Sequence, residues 1–228
     1  MDVVAEEPVS EIGRREGSAE LLSERVYARL KREIVFGRLP PNAKIVEREI
    51  CEQFAVSRTP LREALLRLAA DGLVIVKPQS GTLVAPITLS RVMAAQFIRE
   101  RLECGLVRRV TDCWNRAGHA TLLENIAAQK VAAECNDFEG FHDLDEAFHG
   151  HMSIIAGLPD VWTTIAASKP HLDRIRIESL DRRKHIHDLI LDHTDIVAAL
   201  ADRDVSKAKR RLRAHLRQVL RSLEYLNQ

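Results

Sequence analysis

Residues 47–86, EREICEQFAVSRTPLREALLRLAADGLVIVKPQSGTLVAP, constrain the fold more than any other part of the chain. Their apolar spacing and breakers predict a helix, a tight turn, a second helix and a β-hairpin, the order of a winged helix-turn-helix. The second helix opens with SRTPLRE. Ser57 and Thr59 are helix-start residues whose hydroxyls can accept from free backbone N–H groups. Pro60 suits a first turn, where its missing N–H costs nothing. Arg58 and Arg62, four apart, share one face near the positive end of that helix. Such a pair suits phosphate through charge and guanine edges through its bidentate fork. Alone, two arginines would read as an ordinary solvated face; the elements on either side favour the nucleic-acid reading.

Upstream, Leu22, Val26, Leu30, Ile34 and Val35 recur at helical spacing. Gly37 is placed to end that helix, and Pro40-Pro41 prevents its resumption. Downstream, Asp71-Gly72 ends the second helix. Residues 73–76 and 83–84 read as strands around Pro78-Gln79-Ser80-Gly81, where Gly81 permits a close backbone approach, either as a wing tip or as a plain hairpin glycine. The net charge of the whole chain is only +1. Residues 22–88, however, hold eleven Lys/Arg against seven Asp/Glu, whereas residues 1–21 hold two against six. The positive charge therefore belongs to the predicted DNA module, where counterion release can drive phosphate binding. Aromatics make up 4% of the chain, too few to favour stacking on single-stranded bases.

This stretch resembles the DNA-binding domain of GntR-family bacterial transcription regulators. The resemblance covers roughly residues 22–88 and rests on G-x-L-P-P, E-R-E, V-S-R-T-P-x-R-E-A-L-x-R-L, D-G-L-V and G-T-x-V. It implies that Arg48, Arg58 and Arg62 contact double-stranded operator DNA, with Ser57, Thr59 and Gly81 as further contact positions. Arg67 and Lys77 are weaker candidates for backbone contacts.

After Pro86 the pattern becomes helical, with few Gly or Pro breaks. Six helices are expected, at 89–117, 119–135, 138–156, 159–180, 184–202 and 204–226, forming an all-α bundle. The domain division is then a disordered acidic tail over 1–20, a winged helix over 21–88 and a helical domain over 89–228. No apolar run is long enough to span a bilayer and no signal peptide opens the chain, so a cytoplasmic location is expected. Cys51, Cys104, Cys113 and Cys135 lack C-x-x-C spacing and read as small apolar side chains in a reducing cytosol.

All nine histidines follow residue 118. Asp145 and His149 are four apart and can face one side of a helix, where they could share a divalent ion. His193 and His215 sit among apolar residues (Leu189, Ile190 and Ile196; Leu212, Leu216 and Val219) that turn their faces inward. Spacing alone leaves a core-histidine reading open, with His142 and His151 as rivals on the same helix. The region from about 90 to 222 also resembles the FCD effector domain of the FadR branch of GntR regulators, in the shorter VanR-like six-helix form. That resemblance implies the metal set Asp145, His149, His193 and His215. The acid before His193 is Asp192 where Glu is commoner, and Gly157-Leu158-Pro159 stands where the family has Asn.

Three imidazoles and a carboxylate favour zinc, with Ni, Mn or Fe as alternatives, and leave positions open for a small organic acid. The resemblance makes Arg99, in R-x-x-L-E, an effector-binding arginine. Arg174 and Arg176, in D-R-I-R, are further effector candidates. The competing assignment for each is an internal ion pair, such as Arg99 with Glu103. The implied protein is a homodimeric regulator, most simply a repressor released by a sugar or hydroxy acid, with a hinge near 88–92. A metal-dependent enzyme using the Asp-His-His-His set is the alternative.

Overall fold

A computed structural model describes residues 9–77, 81–180 and 183–220, and side-chain surroundings for residues 21–77, 81–177 and 185–220. The chain divides into two compact units, residues 1–86 and 87–228. The fold is mainly α, with an N-terminal winged helix-turn-helix and an all-α second unit.

In the first unit, α1 (Val9–Val35) is followed by the two-residue β1 (Lys44–Ile45), α2 (Glu47–Phe54), α3 (Arg58–Ala70), β2 (Val74–Lys77) and β3 (Gly81–Val84). α1 reaches back to Val9, into the span 1–20 expected as a disordered tail. Residues 1–8 lie outside the described ones. Val26, Leu30 and Ile34 of α1 pack with Leu61, Leu65 and Leu68 of α3 and with Ile45, Leu73 and Val84. Each such fully buried aliphatic side chain contributes about 1.5–3 kcal/mol.

The wing is a three-stranded antiparallel sheet in the order β1-β3-β2. Val74 faces Val84 and Lys77 faces Gly81. Gly81 has φ +90°, a left-handed value that suits only glycine without strain. The expected turn residues Pro78, Gln79 and Ser80 lie outside the described residues. Ser57 does hold the N-cap position of α3, with extended backbone, but its side chain makes no capping hydrogen bond.

Seven helices, not six, make up the second unit among the described residues: α4 (Leu89–Asp112), α5 (Arg116–Glu134), α6 (Phe138–Ile155), α7 (Pro159–Ser168), α8 (Pro170–Leu180), α9 (Arg183–Ala201) and α10 (Val205–Leu216). The extra helix arises because the expected helix over 159–180 breaks at Lys169-Pro170. Proline removes a backbone donor and pushes the preceding residue out of helical geometry. Lys169 accordingly has φ −111° and ψ 14°. Gly118, expected as a break, lies in the first turn of α5, where Asn115 Oδ1 accepts from its N–H at 2.9 Å. The core collects Val107 and Val110, Leu122 and Ile126, Phe141 and Phe148, Ile190 and Ile196, and Leu212 and Leu216. Those apolar neighbours turn the inward faces of α6, α9 and α10 toward one point. No helix among the described residues is long and apolar enough to cross a membrane.

Candidate DNA interface and metal centre

In the first unit, Ser57, Arg58, Thr59 and Arg62 are all exposed at the start of α3, and Gly81 is exposed in the wing. Arg48, on α2, is 80% exposed and donates through Nε to Glu52 Oε1 at 3.1 Å. Arg62 Nε donates to Glu47 Oε2 at 3.3 Å. Such exposed pairs contribute about 0–1 kcal/mol, so either arginine can exchange its carboxylate for phosphate or a base edge. Arg67 is engaged differently. It donates to Glu24 Oε2 at 2.6 Å, and its guanidinium lies 4.2 Å from the Tyr27 ring centroid, tying α3 to α1.

In the second unit, Asp145, His149, His193 and His215 are all buried and their ligand-type atoms cluster within 4.8 Å. His149 Nε2 and His193 Nε2 each lie 3.2 Å from His215 Nε2. His193 Nε2 lies 3.6 Å from Asp145 Oδ1. Donors sharing one ion at bonds of about 2.1 Å sit roughly 3.0–3.4 Å apart; the two histidine pairs lie in that range and the His193–Asp145 pair just beyond it. The Asp145 Oδ1 atom is buried and has no hydrogen-bond partner among the described residues. Imidazole nitrogens facing one another beside that carboxylate oxygen are an arrangement suited to a shared cation.

The orientation of the His193 ring has an identifiable cause. Leu144 O, a backbone carbonyl, can only accept, and it takes Asn125 Nδ2–H at 3.0 Å. Asn125 Oδ1 then faces Gln129 Nε2 at 2.7 Å, and Gln129 Oε1 faces His193 Nδ1 at 2.8 Å. His193 must therefore donate from Nδ1 and turn an unprotonated Nε2 to the centre. His149 Nδ1 lies 2.6 Å from Glu103 Oε2, and His215 Nδ1 lies 3.4 Å from Asp192 Oδ2. Phe148 stacks on His193 with centroids 4.0 Å apart. Burial, followed by the neighbouring His215, holds His193 well below the ordinary histidine range. Burial also lowers His215. For Asp145, burial would raise the carboxyl, but Arg176 and the surrounding imidazoles hold it well below the usual range.

The sequence offers Glu103 only as an ion-pair partner for Arg99, a pair the structure contains, and gives Gln129 no role. Their contacts with His149 and His193 come only from packing between helices.

Arg99 donates from Nε to Glu103 Oε1 at 2.7 Å, yet its Nη2 is buried without a hydrogen-bond partner among the described residues. It lines one cavity with His142, Asp145, Arg176, His185 and His215. Arg176 bonds to Asp145 and donates to Glu146 Oε1 at 2.7 Å, so it belongs to an internal ion network that also borders the cavity. Arg174 is buried but does not line that cavity. His142 falls outside the tetrad, in a second group with Glu146 and Asp173. The buried Lys169 reaches Glu146 there and donates to Asp173 Oδ1 at 2.7 Å, so a protein cation already serves that group.

A winged helix with arginines at the start of its second helix, joined in one chain to a helical unit with a buried ligand-type cluster, defines a DNA-binding transcription regulator. Residues 22–84 match the family described as "Bacterial regulatory proteins, gntR family", and residues 95–218 match the FCD domain. The chain belongs to the GntR family, in its FCD-bearing form. It is 32% identical over 207 residues to the HTH-type transcriptional repressor RspR of Escherichia coli K12, covering 91% of each chain. It is 36% identical over 199 residues to a Streptomyces ambofaciens HTH-type transcriptional regulator in an unstable DNA locus, covering 87% of this chain and 84% of that one. The solved structure of E. coli McbR/YncC matches the fold with a TM-score of 0.79 at 22% identity, over 91% of this chain and 99% of that one.

Proposed function

We propose that this regulator is a cytoplasmic, homodimeric repressor whose operator affinity falls when a small organic acid binds a metal-bearing site in its helical domain. The observation that carries this reading is the convergence of three Nε2 atoms and Asp145 Oδ1 beside Arg99, whose buried Nη2 has no hydrogen-bond partner among the described residues. Asp145, His149, His193 and His215 would hold the ion, with zinc first among the candidates and Ni, Mn or Fe as alternatives. When bound, the ion supplies open Lewis-acidic positions suited to the oxygens of a sugar or hydroxy acid. Arg99 would take the acid's carboxylate, with Arg176 at the same cavity reinforcing its charge. Arg174, away from that cavity, is a weaker candidate.

On the DNA side, Arg48, Arg58 and Arg62 would contact operator DNA, with Ser57, Thr59 and Gly81 completing the surface. Two such heads in a dimer would read two half-sites. The repressor direction is supported by the name of its relative RspR. The test is a thermal-shift screen of organic acids on zinc-loaded protein, followed by operator titration with each hit. A coupling of about 1–3 kcal/mol is expected. Arg99→Ala should weaken effector binding while sparing effector-free DNA binding. Hits that stabilise the protein but leave operator affinity unchanged would sink the signalling account.

A further inference from the structure

We infer that Glu103 is a positioning residue that sets both halves of the candidate site with one carboxylate, fixing the tautomer of His149 and the orientation of Arg99. This rests on the metal reading above. Glu103 is buried on α4, one turn beyond Arg99. Its Oε1 accepts from Arg99 Nε at 2.7 Å, and its Oε2 lies 2.6 Å from His149 Nδ1. Ionised beside a guanidinium, it can only accept. A carboxylate oxygen this close favours the His149 proton on Nδ1, which leaves Nε2 to face His215 Nε2 at 3.2 Å. Arg99, anchored through Nε, keeps Nη2 without a hydrogen-bond partner among the described residues. The same carboxylate thus orients a nitrogen donor for a cation and a guanidinium for an anion.

The arrangement gives opposite signs for two substitutions. Glu103→Gln keeps the size but removes the charge, and its amide cannot accept from both neighbours through two oxygens. Zinc affinity should fall about 10–100-fold. Arg99→Met removes the competing cation and leaves the whole carboxylate charge on His149. That makes Nε2 a better electron-pair donor, so zinc affinity should hold or rise. Loss of packing alone would weaken zinc binding in both variants.

The experiment uses the full chain and the metal alone: chelator-competition titration of Zn²⁺, and the visible d–d band of the Co²⁺-loaded protein. The expected result is weakened zinc binding with a shifted cobalt band in Glu103→Gln, and neither loss nor weakening of zinc binding in Arg99→Met. Wild-type zinc affinity and an unchanged band in Glu103→Gln would overturn the inference, as would equal weakening in both variants. If Glu103→Gln does not fold, imidazole ¹⁵N NMR of the zinc-loaded wild type decides. A His149 proton on Nδ1 supports the assignment, and zinc bound through His149 Nδ1 refutes it. Failure of the wild type to take up zinc would instead remove the metal reading, and this inference with it.

Discussion

Replacing Gln129 with leucine should cripple the metal centre without touching any of its four proposed ligands. Gln129 is fully buried on α5, between Asn125 and His193. It is the link through which the fixed carbonyl of Leu144 dictates the protonation of His193. Leucine matches its size but neither donates nor accepts. Asn125 Oδ1 then loses its donor, and His193 Nδ1 loses its acceptor. Each unsatisfied buried group costs about 1–3 kcal/mol, so the metal-free protein should lose about 2–6 kcal/mol of stability. His193 is also released to protonate Nε2, the atom that faces His215. Zinc affinity should fall about 10–100-fold, the usual effect of removing a partner that orients a metal-binding histidine. Gln129→Glu is the contrast. It retains an acceptor for His193 and should keep zinc while losing only the bond to Asn125. Chelator competition at pH 7.5 reads the affinity, and thermal unfolding in excess chelator reads the stability. Zinc affinity within twofold of wild type in Gln129→Leu would refute the tautomer argument.

On the DNA-binding unit, Arg58→Ala or Arg62→Ala should weaken operator binding by about 1–3 kcal/mol if the residue reads a base edge, measured by fluorescence anisotropy at near-physiological salt. Unchanged affinity in both variants would remove them from the interface. His142→Ala should retain full metal occupancy by elemental analysis, since His142 belongs to the group already served by Lys169; loss of the ion would show that the ligand register on α6 was misassigned. In excess chelator, stability should fall as the pH drops below about 6.5, the ordinary histidine value. His193 is held well below that value in the fold, so the unfolded chain binds more protons there and gains about 1.4 kcal/mol per pH unit. Thermal unfolding of wild type and His193→Phe between pH 7.5 and 5.5 checks this, and equal slopes would count against a buried neutral His193.

The winged helix was legible because its signals are local. SRTPLRE, Asp71-Gly72 and the alternation around Gly81 each act within a few residues, and the structure places α3 and the wing accordingly. β1 was missed because two residues carry no periodicity, and they form a strand only by pairing with β3. The break at Pro170 was overridden by apolar spacing on both sides. The early start of α1 was hidden by an acidic, Gly/Ser-containing composition. Asp145 and His149 could be paired from four-residue spacing, but His193 and His215 needed the family resemblance. Spacing within a helix says nothing of which helices meet. The same limit hid Gln129 and left Glu103 only as an ion-pair partner for Arg99. Their partners lie on other helices, 64 and 46 positions away at His193 and His149.

Native mass spectrometry with elemental analysis, on the chain purified without chelator, asks whether Asp145, His149, His193 and His215 hold a divalent ion in the regulator's helical domain. One divalent ion per chain is expected in the wild type, lost in His193→Ala and His215→Ala, with helical content largely retained in both. A wild-type chain that carries no ion and takes none up, or an ion that survives both substitutions at full occupancy, would contradict it.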